Sequence, residues 1–176
     1  MYTSGTTVNA EPLKPIDYWK QTLGLQPHPE GGFFAESYRS GERHVTADEK
    51  FPAQRSFSTA IYFLVPAGEF SALHRIQSDE VWHFYYCMPL EIVVLDRGAL
   101  EVKRLGLDLD RGQAPQHVVP RGAWFGASVA AASGYCLVGC TVAPGFDFRD
   151  FELARRADLE LSHPQHRDLI ERYTRG

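Results

Sequence analysis

The chain has 176 residues, 44% of them hydrophobic, 12% aromatic and 23% charged, the composition of one globular domain long enough to bury a core. Its 18 basic and 22 acidic residues leave a net charge of −4 with no run of like charges, which argues against a nucleic-acid partner or a polybasic membrane patch. The longest apolar stretch, residues 60–67, is far too short to span a bilayer, and Lys14 is the first basic residue, so no leader pattern precedes it. A cytoplasmic protein with no membrane partner is expected.

Residues 1–14, rich in Thr, Ser, Gly and Asn, read as a loosely attached or disordered tail, and residues 15–176 as a single domain. Residues 15–23 predict a short helix stopped by Gly24, with Ile16, Trp19, Lys20 and Leu23 on one face. Strands dominate from there. The first covers 32–39, with Phe34, Glu36 and Tyr38 on one face. Segment 39–55 sets Arg39, Arg43, Lys50 and Arg55 against Glu42, Asp48 and Glu49. It reads as a solvated loop, placed to clamp an anion if it overhangs a barrel mouth. Further strands follow at 58–65, 69–77, 80–86, 90–96, 99–105, 116–119, 123–129 and 134–142, each bounded by Gly, Pro, Asp or Ser. Ser162 with Gln165 three residues on has the form of a capping box and predicts a helix over 163–173.

No helical pattern of ten or more residues separates the strands, which disfavours a parallel α/β fold and points to a closed or double-sheet antiparallel structure. The three cysteines, Cys87, Cys136 and Cys140, fit a reducing compartment. Cys136 and Cys140 lie four apart in one strand, about 13 Å, beyond disulfide reach. Without a CxxC they read as buried thiols.

The most informative stretch is Gly68, five residues, His74, one residue, Ile76, three residues, Glu80. It resembles the first motif of the cupin superfamily, Gly-x5-His-x-His-x3-4-Glu-x6-Gly, with Ile76 at the second histidine and Cys87 at the final glycine. The second cupin motif is echoed at Pro120, Arg121 and Gly122, with Phe125 at its histidine and Val129 at its asparagine. The strings His28-Pro29-Glu30-Gly31-Gly32-Phe33-Phe34, Ser71-Ala72-Leu73-His74-Arg75, Asp79-Glu80-Val81-Trp82-His83-Phe84 and Pro144-Gly145-Phe146-Asp147-Phe148 resemble the cupin 5 family, over roughly residues 16–176. That resemblance implies an all-β antiparallel jelly-roll (cupin) barrel with short N-terminal and C-terminal helices. It also implies a homodimer. Cys87 puts only the local turn in question.

Of the four usual cupin ligand positions only His74 and Glu80 keep ligating side chains, whereas a catalytic first-row metal needs three. His83 is the obvious replacement, but strand alternation sets it opposite to Glu80, Trp82 and Phe84. No metal and no other cofactor is expected. What His74 and Glu80 retain is proton chemistry in a low-dielectric interior walled by Trp82, Phe84, Trp124 and Phe125. They are the candidate catalytic residues of an isomerase- or epimerase-like reaction on a small sugar- or nucleotide-like metabolite, with cupin-fold sugar epimerases a precedent by analogy.

Around them, His28 and Glu30 precede a Gly31-Gly32 step that permits close backbone approach. Glu36 alternates with aromatics on the inner face, and Tyr62 and Tyr85 are able to present hydroxyls. With Trp82, His83, Trp124 and Phe125 these complete the candidate ligand-binding set. Asp147 reads as an anchor where the chain leaves the last strand, and His44, His117, His163 and His166 as surface residues. Two other functions fit the same residues. One is a non-enzymatic metabolite-binding or sensing module; the other is a metal-dependent cupin enzyme using His74, Glu80 and a third ligand. The plainest alternative is a purely structural His–Glu pair.

Overall fold

Period-two alternation lets each strand bury one face, and two such faces packed together make the core. A computed structural model describes residues 13–45 and 54–175. Most of the expected N-terminal tail and residues 46–53 of the polar loop lie outside the described residues. The chain begins with α1 (Ile16–Thr22) and continues through β1 (Gln26–Pro27), β2 (Phe33–Arg39), β3 (Arg43–His44), β4 (Arg55–Ser56), β5 (Thr59–Pro66) and β6 (Phe70–Arg75). Next come β7 (Asp79–Cys87), β8 (Leu90–Asp96), β9 (Ala99–Leu105), β10 (Gln116–Val119), β11 (Trp124–Val129) and β12 (Tyr135–Ala143). After β13 (Glu152–Leu153) the described chain closes with α2 (Arg156–Ser162) and α3 (Arg167–Tyr173).

The strands form a six-stranded antiparallel sheet, β1-β2-β5-β12-β7-β10, facing a five-stranded one, β13-β6-β11-β8-β9. Chain neighbours β5 and β6, and β7 and β8, thus sit in opposite sheets, the crossing pattern of a jelly-roll. The sheets stay separate rather than closing into one continuous barrel, and β3 pairs with β4 outside both. Between the sheets lie Phe63, Val65, Trp82, Ile92, Phe125 and Val138. A second cluster holds α2 and α3 against the outside of the five-stranded sheet through Leu73, Val93, Leu95, Leu159, Ile170 and Tyr173. A third seats Ile16 and Trp19 of α1, with Leu23 at its C-terminal cap, on Leu64, Tyr135 and Leu137. Lys20, on the same helix face, lies 4.0 Å over the Phe33 ring. Among the described residues no helix is long and apolar enough to cross a membrane.

Two local expectations are corrected. The capping box does not form: Ser162 ends α2, its hydroxyl donates to the carbonyls of Asp158 and Leu159, and α3 starts only at Arg167, after a 3-10 turn at Pro164–His166. In β2 the register shifts between Glu36 and Tyr38, so Ser37 is an extra residue. Arg39 joins Glu36 on the inner side and Tyr38 turns out, 54% exposed. At the end of β7, Cys87 adopts φ +76, a left-handed conformation that a glycine holds at less cost. Cys87, Cys136 and Cys140 are all free thiols.

Candidate functional site

The two sheets are not packed solid along their whole length. At one end a cavity of about 320 Å³ remains, walled by Phe34, Phe63, Phe146, Phe148 and Phe151, with Ile61, Ile76 and Val142 between them. Its polar groups are His28, Glu30, His74, Glu80, Thr59 and Cys140 inside, and Glu36, Arg39 and Asp147 toward the opening.

The loop between β1 and β2 brings in His28 and Glu30. The Glu30 carbonyl accepts the Ala72 amide of β6 at 2.8 Å and the Arg175 guanidinium at 3.0 Å. This close approach requires both glycines. A Cβ at Gly31 (φ +112) would stand 2.3 Å from the Phe70 carbonyl, and one at Gly32 (φ +68) 2.7 Å from that of Leu64.

The approach places the Glu30 carboxyl at the centre of a buried cluster. Ser71 Oγ donates to its Oε1 at 2.8 Å, while Oε2 lies 3.1 Å from His74 Nε2 and 3.3 Å from His28 Nδ1. His74 Nδ1 faces the Ala72 carbonyl at 2.8 Å and must donate to it, so Nδ1 carries a hydrogen. Burial raises the Glu30 pKa, but His74, His28 and Ser71 outweigh it and hold the carboxyl below its ordinary value. Burial pulls His74 below the usual imidazole value, against Glu30 and the Ala72 carbonyl. These two directions together would leave the Nε2–Oε2 contact without a proton, lone pair against lone pair. At 3.1 Å the geometry decides the matter: one proton is shared there.

Glu80, at the start of β7, is the electrostatic opposite. Burial, reinforced by the charge on Glu30 and weakly opposed by a hydrogen bond with Cys140, pushes its pKa up to about 8. Near neutral pH it is a protonated acid. The Cys140 thiol is driven well above its ordinary value, first by burial and then by Glu80, so it is not a nucleophile.

Charges at the opening are matched within the protein. Arg39 forks onto Glu36 at 2.9 and 2.6 Å and donates to the Phe146 carbonyl at 3.1 Å. Asp147 accepts from the Arg149 side chain at 2.9 and 2.6 Å, which holds its carboxyl well below the usual range, and lies 2.8 Å from Arg55. Arg55, buried beneath, also pairs with Asp150. The anchor expected at Asp147 is thus a four-residue charge cluster, and Arg55 belongs to it rather than to an overhanging loop.

The structure brings His28, Glu30, Glu36, His74 and Glu80 to one cavity. His74 pairs with Glu30, not with Glu80 as the sequence suggested. Six other expected ligand contacts lie elsewhere. Tyr62 and Tyr85 pack edge to face across the outer side of the six-stranded sheet, ring centroids 6.3 Å apart. His83 is on that same outer side, bonded to Thr141 and Gln116. Trp82 faces inward but is consumed by packing on Phe63 and Phe125. Trp124 faces out, under the Arg75 guanidinium at 4.4 Å. Phe125 faces in and backs the His74 ring at 4.0 Å without lining the cavity. Missed were Thr59, Ile61 and Phe63, which alternation along β5 would have placed together, and Phe148 and Phe151, which follow β12 where no strand periodicity assigns a face.

A metal of the kind a cupin resemblance implies does not fit these residues. The positions that would complete a ligand set are Ile76 and Phe125, and both nitrogens of His74 are engaged. Among the described residues no group of three or more His, Cys, Asp or Glu side chains is arranged to hold an ion.

Comparison with known proteins follows this geometry. The family model Cupin_5, described as Cupin superfamily (DUF985), matches residues 17–154. A hypothetical protein from Leishmania major is 37% identical, with TM-score 0.85 over 93% of this chain and 100% of its own. A structure from Shewanella oneidensis is also 37% identical, with TM-score 0.84 over 93% and 99% of the two chains. An uncharacterized protein of Saccharomyces cerevisiae is 27% identical over 87% of this chain and 81% of its own. Oxalate decarboxylase from Bacillus subtilis matches at 12% identity and TM-score 0.52, with 84% of this chain lying on 36% of that one. That likeness is one of fold alone.

Proposed function

The chain belongs to the Cupin_5 family, and from that premise we propose a small-molecule-binding cupin that moves a proton without a metal, in an isomerase- or epimerase-like reaction on a small polar hydroxy-carbonyl compound of the sugar class. The observation that carries this reading is a pair of carboxyl groups in one cavity whose ionisations are driven apart. Glu30 is held ionised by its imidazoles and Glu80 is held protonated to about pH 8. Such a split separates the base side of a site from its acid side. The imidazole–Glu30 couple takes the proton α to a carbonyl, Glu80 donates to the carbonyl oxygen as charge develops there, and return of the proton gives the isomer.

Phenylalanine walls suit the apolar face of a sugar ring, and a cavity of about 320 Å³ suits one small molecule. Because Arg39 and Asp147 are already paired with opposite charges, a neutral ligand is favoured over an anionic one.

Activity is expected to fall as pH rises through about 8, where Glu80 loses its proton, and to fall in acid as the imidazole–Glu30 couple is filled. The test is deuterium incorporation from D₂O at carbon across a panel of neutral ketoses and aldoses, followed by proton NMR. Glu80→Gln, which cannot ionise, should lower the exchange rate by roughly 10²–10⁴. A panel that shows no wild-type exchange leaves only binding and overturns the catalytic reading.

A further inference from the structure

Two imidazoles line the cavity, and they are not equivalent. His74 has both nitrogens committed, Nδ1 to the Ala72 carbonyl and Nε2 to Glu30, and its ring is pressed between Phe125 at 4.0 Å and Phe151 at 5.3 Å. It has no nitrogen left with which to meet a ligand. His28 is held differently. Its Nδ1 accepts a long hydrogen bond from the Glu30 amide at 3.4 Å and lies 3.3 Å from Glu30 Oε2. The ionised carboxylate, nearer and charged, outcompetes that long amide contact for Nδ1; with the hydrogen on Nδ1 facing Glu30, Nε2, across the ring, keeps a lone pair. Nε2 has no hydrogen-bond partner among the described residues. The ring is fixed edge-on to Phe34 at 4.5 Å, near Phe63 and Phe151, and lies parallel to Phe148 at 5.9 Å.

We infer that His28, rather than His74, is the imidazole presented to the ligand, with Glu30 orienting it and His74 acting as a positioning residue behind Glu30. As a statement about catalysis this rests on the acid–base reading above. In chemical terms Nε2 of His28 accepts the substrate proton and becomes N–H, and Glu30, bonded to Nδ1–H, balances the imidazolium that results. The proton on Nε2 is returned to carbon in the second half-reaction. His74 never exchanges a proton with substrate; through the hydrogen it shares with Oε2 it holds the Glu30 carboxylate in line. The neighbouring titratable groups are Glu30, His74 and Glu80 within the cavity, with Glu36, Arg39 and Asp147 toward its opening.

Diethyl pyrocarbonate acylates an imidazole nitrogen that has a lone pair and can be reached, and peptide mass spectrometry locates the adduct. In the native full-length protein His28 should be acylated, whereas His74 should stay unmodified until the protein is unfolded. Acylation of His74 with His28 spared, or of neither before unfolding, overturns the inference. The second arm uses the deuterium-exchange assay. His28→Ala should abolish exchange, and added imidazole should restore part of it. His74→Gln should lower exchange with no imidazole rescue and shift the acid limb of the pH profile; His28→Asn, a smaller change, serves as the control for folding. Full exchange by His28→Ala sinks the inference and leaves the acid–base reading standing. Absence of exchange in the wild type sinks that reading, while the adduct map still decides which imidazole faces the cavity.

Discussion

Glu80 shows how much one buried acid shapes the protein. Its pKa rises from an ordinary 4.5 in the unfolded chain to about 8 in the fold. Between those values the unfolded chain has lost the proton and the native protein still holds it. The native state therefore binds more protons, and stability must fall as pH rises through that window and level off above it. Glu80→Gln keeps the shape and removes the titration. Urea unfolding at pH 5 and pH 8 should show the wild type losing on the order of a few kcal/mol more than the variant between the two. Equal losses would mean that Glu80 is ionised in the fold. Gly31 offers a second check. At φ +112, with the Phe70 carbonyl in the way, Gly31→Ala should cost about 1–3 kcal/mol and displace Glu30, measurable by the same unfolding curves. Both residues stood out in the sequence, Glu80 through its spacing from His74 and Gly31 through its neighbour Gly32. What was not legible is that Glu30, rather than Glu80, partners His74. That contact depends on the β1–β2 loop lying on β6, forty residues away in the chain, and no local spacing encodes it.

At the scale of elements, sequence periodicity served well where one face of a strand is buried and poorly where chain ends and bulges intervene. The expected ranges 90–96, 99–105 and 116–119 coincide with β8, β9 and β10, because each is bounded by residues that break pairing. The single-residue shift at Ser37 left no sequence trace, yet it exchanges Tyr38 for Arg39 at the cavity and so sets the charge at the opening. Trp124 and Phe125 teach the converse. As neighbours on one strand they must face opposite ways, so both could never have walled one cavity. The missed α2 has a physical cause too. Its seven residues bury only Leu159, too little to produce a recognisable apolar stripe. Because Ser162 ends α2 instead of capping the next helix, Ser162→Ala should cost less than about 0.5 kcal/mol, against the roughly 1 kcal/mol of a lost N-cap. Thermal unfolding of the variant measures the difference, and a large loss would restore the capping box.

Across the whole molecule, the C-terminal end of the described chain is drawn back to the β1–β2 loop. The jelly-roll packs Trp82, Phe125 and Val138 into one part of its interior and leaves a cavity in another, and the β1–β2 loop carries His28 and Glu30 into that cavity. That loop is held from outside by Arg175, beyond α3, which is itself anchored by Ile170 and Tyr173 and by the Tyr173–Ser128 hydroxyl contact at 2.7 Å. Arg156 adds a tie from α2, donating to Thr174 Oγ1 at 2.8 Å and to its carbonyl at 2.7 Å. The position of His28 and Glu30 therefore depends on elements far from them in sequence. Arg175→Ala removes one of the two donors to the Glu30 carbonyl and leaves the Ala72 amide in place. It should lower global stability by only about 1 kcal/mol, since the hydrogen bond is partly exposed. The local effect should be larger: amide hydrogen exchange at residues 30–32 should speed up, while β8, in the core of the opposite sheet, keeps its protection. If exchange at 30–32 is unchanged, the loop is held by the β6 contact alone and the C-terminal helices serve only the fold. If it rises, the cavity's acid–base groups are set by a contact that reaches from one end of the described chain to the other.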